Sequence, residues 1–146
     1  MAREPKLLPL SQLDELTSSG AGYDVLRYMG LPELLGTQAD TLLYYLGKNL
    51  ARKLDITSME AIYDSFDKLG WGRLELIKEK RKELVFHLMA DSVANRINGP
   101  FPAEFRIESG FLAEALQYVK GVSCECVEEI HKKIFQVEFT VVYTEN

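Results

Sequence analysis

Two cysteines and two histidines are all the thiol and imidazole chemistry this 146-residue chain carries. A structural zinc site takes four ligands, commonly with a C-x-x-C knuckle. Cys124, Cys126 and His131 supply three, and the cysteines are spaced i, i+2. The expectation is therefore no metal ligand and no other cofactor, with both thiols serving as small apolar strand residues. Side by side on one strand face they are poorly placed to bridge each other, which fits a reducing compartment.

Clustered cations are also scarce. The net charge is -5, and the densest basic stretch, Lys78-Glu79-Lys80-Arg81-Lys82, is mixed and falls where a hairpin turn is expected. Phosphate-backbone binding rests on grouped Lys and Arg, so nucleic acid is not an expected partner. Long apolar runs are missing too. No window approaches the roughly 18 residues of a membrane span, and the run in Met1 to Leu10 is too short for a signal peptide. A cytoplasmic, non-spanning protein is expected.

Catalytic signatures are absent as well: no G-x-S-x-G, no P-loop and no G-x-G-x-x-G. Gly20-Ala21-Gly22 lacks the preceding strand that a dinucleotide turn requires. The chain is not expected to be an enzyme.

What the sequence does contain is ordinary globular material, 47% hydrophobic and 27% charged, in a length that suits one core. An N-terminal arm over 1–22 carries Pro5, Pro9 and Ser18-Ser19-Gly20-Ala21-Gly22, with a helical turn around Gln12 to Leu16 and docking residues Leu7, Leu8, Leu10 and Leu13. A single α+β domain follows over 23–146. Its first helix spans Tyr23 to Met29, breaks at Gly30 and resumes after Pro32. Its second, Ala39 to Leu54, aligns Leu42, Leu43, Leu46, Leu50 and Leu54, with Gly47 and Ala51 as a small pair that lets another helix approach closely. Thr57-Ser58-Met59-Glu60 has capping-box spacing, with Thr57 as cap.

Trp71 to Lys78 and Glu83 to Ala90 then alternate as one hairpin, and Asn98-Gly99-Pro100-Phe101-Pro102 breaks the chain. From Glu104 to Lys120 the period is helical, with Phe105, Phe111, Leu112, Ala115, Leu116 and Val119 on one arc and a stop at Gly121. Beyond it Val122, Cys124 and Cys126 alternate, as do Val137, Phe139, Val141 and Tyr143, and the short connection makes these strands antiparallel neighbours. The fold class is α+β: N-terminal helices plus a four-stranded antiparallel sheet from two hairpins, with a long helix between the hairpins.

Glu108-Ser109-Gly110-Phe111-Leu112-Ala113-Glu114-Ala115-Leu116, the Val122 to Glu129 strand and Phe135-Gln136-Val137-Glu138-Phe139 together resemble the C-terminal core of the four-vinyl-reductase and TRAPP-subunit superfamily. The whole chain resembles the small YslB-type family of Firmicute bacteria, whose function is unknown. The resemblance implies dimerisation through N-terminal helices and an apolar cavity holding an acyl chain or other hydrocarbon. It carries over neither an acylated cysteine, since residues 1 to 123 have none, nor a haem ligand, since neither histidine lies in the N-terminal helices.

Individual residues sharpen the expectation. Glu108 falls inside the apolar arc of the long helix, so it must be paired, protonated or open to a cavity, unless the helix start leaves it in solvent, where an acid suits the dipole. Arg106 lies too far round the helix to pair with it. His87 points opposite to Phe86 and Leu88, as a satisfied or half-exposed histidine. Tyr23, Tyr28, Tyr44, Tyr45, Tyr63, Phe66 and Trp71 form core, a pocket or a dimer seam. The reading that results is a non-enzymatic homodimeric binding module packed through the second helix, with an apolar ligand near Leu46, Leu50, Phe66, Glu108, Phe111 and Leu112. The alternative is an adaptor with a filled core and a partner surface on its helices.

Overall fold

In the computed structural model, residues 7–16 and 20–144 are described. Pro5, Ser18 and Ser19 of the expected arm lie outside them. Among these residues six α-helices and four strands follow in the order α1 (Gly22–Val25), α2 (Leu31–Leu35), α3 (Ala39–Arg52), α4 (Met59–Lys68), β1 (Arg73–Glu79), β2 (Glu83–Met89), α5 (Asp91–Asn98), α6 (Arg106–Lys120), β3 (Cys124–His131) and β4 (Gln136–Tyr143). The sheet runs β1-β2-β4-β3, antiparallel throughout, so β2 and β4 join the two hairpins along its middle. No helix among the described residues is long and apolar enough to cross a membrane.

α6 lies on the sheet because its arc is apolar: Phe111, Leu112 and Leu116 are fully buried, opposite Phe86 of β2 and Phe139 of β4, which are cross-strand partners. Gly121 ends it in the left-handed conformation, φ 68°, with its N–H donating to Gln117 O at 2.9 Å, a cap that a residue without Cβ adopts freely. α3 crosses α6 on the side away from the sheet. Gly47 and Gly110 meet there, and a Cβ at Gly47 would stand 2.8 Å from Phe111 N. The small pair predicted on this helix is thus used within the chain, against α6.

Several local expectations are corrected. Gly30 does not break the first helix. Leu26–Gly30 forms a π turn that continues from α1 into α2, and the chain turns instead at Gly36, φ 68°. Ser58, not Thr57, caps α4, accepting from Ala61 N–H at 3.1 Å. α5 occupies the stretch between the first hairpin and the break at Asn98, where no element was expected; only its Val93 is buried, so it shows little apolar period. β1 carries a bulge between Leu76 and Lys78. The arm's helical turn is a 3-10 segment, Leu10–Glu15, with Leu13 buried, and Leu8 bridges to Leu54.

Candidate functional site

The site begins with the π turn. Its wide winding carries Arg27 and Tyr28 inward, 1% and 7% exposed, while Leu26 and Met29 stay in solvent. Such turns are rare and concentrate at functional positions. The two inward side chains meet the N-terminal end of α6, where Glu108 is wholly buried.

Arg27 donates through Nη2 to Glu108 Oε1 at 2.6 Å and through Nη1 to Glu108 Oε2 at 2.9 Å, a bidentate pair. Its Nε donates to Glu104 Oε2 at 2.7 Å. From α5, Arg96 Nη2 donates to Glu108 Oε2 at 3.0 Å and Arg96 Nε to the Tyr28 hydroxyl at 2.6 Å. Glu104 in turn accepts from the backbone N–H of Arg106 at 2.7 Å, closing the first turn of α6. Two arginines and two glutamates thus cancel in charge. Among the described residues no buried side-chain nitrogen or oxygen lacks a partner.

Burial is the largest influence on Glu108 and would raise its pKa, but the Arg27 and Arg96 guanidiniums overcome it and hold the carboxyl below its ordinary value. Burial likewise works against the charge on Arg27, and Glu108 and Glu104 reverse it, so Arg27 stays charged. Burial pushes the Tyr28 hydroxyl up to about 12, which keeps the phenol protonated. The quartet is a neutral, fully satisfied post that ties the π turn, α5 and the start of α6 together.

Over it opens a cleft of about 730 Å³. Its walls are aromatic, from Tyr23, Tyr28, Trp71 and Phe101, with Asp24 and Arg96 among its polar groups. Tyr28 and Phe101 stack with ring centres 6.5 Å apart. The volume falls in the range of about 300–1,000 Å³ in which small-molecule sites lie.

The residues singled out from the sequence divide three ways. Glu108 belongs to the quartet. Phe66, Phe111 and Leu112 are fully buried, with Phe66 edge-on to Phe111 at 5.6 Å and both against Trp71; none of these three lines the aromatic cleft. Leu46 and Leu50 are 38% and 37% exposed on the far side of α3. Cys124 and Cys126 face the core, whereas His131, of opposite strand parity, turns to the other side of the sheet, so the three do not converge. The sequence left Glu108 either exposed at the helix start or paired, protonated or open to a cavity; its full burial removes the exposed alternative, and its partner Arg27, 81 positions away, was not foreseen. The signal available was one arginine among the apolar residues of Val25 to Met29.

This geometry can be set beside known proteins. Residues 20–142 match the family described as "Protein of unknown function (DUF2507)". The chain belongs to this family. It is 32% identical over 132 residues to the uncharacterized protein YslB of Bacillus subtilis, covering 90% of this chain and 89% of that one. It is 24% identical over 107 residues to the uncharacterized protein MJ1642 of Methanocaldococcus jannaschii, covering 73% of this chain and 65% of that protein. In fold it is similar to the crystal structure of a vinyl-4-reductase family protein from M. jannaschii, with a TM-score of 0.66 at 17% identity over 93% of this chain and 88% of that one. The YslB-type family and the α+β fold expected from the sequence are therefore those of this chain.

Proposed function

We propose that the protein is a non-enzymatic cytoplasmic binding module that works as a homodimer joined through α3. The observation that carries this reading is that α3 is apolar on both sides. Leu43, Gly47 and Ala51 are buried on one side, while Leu42, Tyr45, Leu46 and Leu50 stand 37–55% exposed on the other. A contiguous apolar patch left uncovered on a helix already packed on its other side marks an interaction surface, and a twofold contact covers the same patch on both copies at once. Sedimentation velocity tests this: a dimer at micromolar concentration is expected, and a monomer there removes the reading.

In this module a small apolar molecule is held in the cleft beside the quartet. The packed rings of Phe66, Phe111 and Trp71 fill the interior, and the cleft of about 730 Å³, walled in part by Trp71, offers the space for such a ligand. Extraction and mass spectrometry of protein from its native host would find a co-purifying hydrophobic compound. A clean protein favours the second reading, an adaptor that binds a protein through its helices, for which the filled interior speaks.

A further inference from the structure

We infer that the open face of the sheet carries a binding site for one divalent transition-metal ion, built from Glu129, His131 and Glu138. One ligand atom from each of the three lies within 4.8 Å of the other two, so modest side-chain rotation brings all of them onto one ion at about 2.0–2.2 Å. β3 supplies Glu129 and His131 from alternate positions on one face, and β4 places Glu138 directly opposite Glu129. Both histidines of the chain gather here, because His87 of β2 is the cross-strand partner of Glu138 on its other side and lies 3.2 Å from Glu138 Oε1.

Electrostatics gives a second, independent reason for a cation. Glu129 and Glu138 are like charges at directly opposed strand positions, an arrangement that costs stability. Among the described residues neither forms a salt bridge with a lysine or arginine; Glu138 Oε1 instead lies 3.2 Å from His87 Nε2 and 3.9 Å from His131 Nε2. The next acid in the same row, Glu75 opposite His87, is by contrast paired with Arg73. A divalent ion offsets the two like-charged carboxylates, and an imidazole beside two oxygens favours the zinc, cobalt and nickel class over magnesium or calcium. Three protein ligands leave a coordination position for water.

The test is titration of the chelator-treated full chain with Zn2+ by calorimetry, and with Co2+ by visible absorption. One equivalent is expected to bind with a micromolar dissociation constant, weakened at least tenfold in His131→Ala and in Glu138→Gln. These side chains are partly exposed, and circular dichroism confirms that each variant is folded. Cys124→Ser/Cys126→Ser should bind as the parent does. No binding at 1 mM metal overturns the site, as does binding unchanged by both His131→Ala and Glu138→Gln, or binding lost with the thiols.

Discussion

Gly47 of α3 and Gly110 of α6 face each other where the two helices cross, each set against the other helix's backbone. A Cβ at Gly110 would stand 2.8 Å from the Tyr44 carbonyl carbon and 3.2 Å from Lys48 N. Backbone cannot rotate away as a side chain can. Alanine in a helix interior ordinarily gains about 1 kcal/mol over glycine; here the clash decides the sign. Gly110→Ala should lower the stability of the chain by about 3 kcal/mol or more, read from the urea midpoint, and a rise in the midpoint would contradict the crossing.

Arg27 and Glu108 make a bidentate pair in the interior, so removing either strands the other's charge. Arg27→Met and Glu108→Leu should each cost about 3–5 kcal/mol. The double variant should cost clearly less than the sum, since it removes one charge of each sign and leaves neither of this pair stranded. Strictly additive losses in denaturation would rule out the coupling.

The same pair sets the acid limb of stability. With its pKa below the ordinary value of 4.5 in the folded chain, Glu108 binds a proton more readily when unfolded. Its contribution is complete above about pH 4.5 and is lost as pH falls below that toward the folded value. Glu125 acts in the same direction: burial would raise it, and Lys48 and the Tyr44 hydroxyl hold it down. Denaturation midpoints should be flat from pH 7 to 5 and fall below 4.5, with a shallower fall in Glu108→Gln. An unchanged slope in that variant would contradict the assignment.

Leu46 projects from α3 into solvent in the single chain, so a charge there leaves the monomer fold intact. Leu46→Glu should change monomer stability by no more than about 0.5 kcal/mol while abolishing the sedimentation dimer. A dimer that persists in Leu42→Glu/Leu46→Glu places the contact elsewhere.

Burial pushes the Cys124 thiol up to about 11 and the Cys126 thiol further. From an ordinary value of 9.0, that leaves Cys124 with about 100-fold less thiolate at pH 8. Iodoacetamide should label neither cysteine in the folded protein within an hour, and both in urea; rapid labelling without denaturant would contradict the core placement.

How legible this was depends on whether a feature is local. The α6 arc, its Gly121 cap and the alternation of both hairpins are carried by neighbours in sequence, and each stands where the residues put it. α5 was missed because Asp91–Asn98 buries only Val93, too little for a helical period to show. The break at Gly30 failed because a π turn and the burial of Arg27 outweighed glycine's weak helix preference. In the site, Glu108 declared its need for a partner through its angle on the helix. Which cations answer it was settled by the packing of the π turn and α5 on α6, which no spacing in the sequence encodes.

The order β1-β2-β4-β3 has a bearing on how the chain is born. β4 is the latest strand to leave the ribosome, yet it sits inside the sheet and pairs with β2 some fifty positions earlier. Until residue 142 has emerged, the greasy edge of the first hairpin has no neighbour. A nascent polypeptide stalled before that point would offer Phe86 and Leu84 to whatever holdase is at hand.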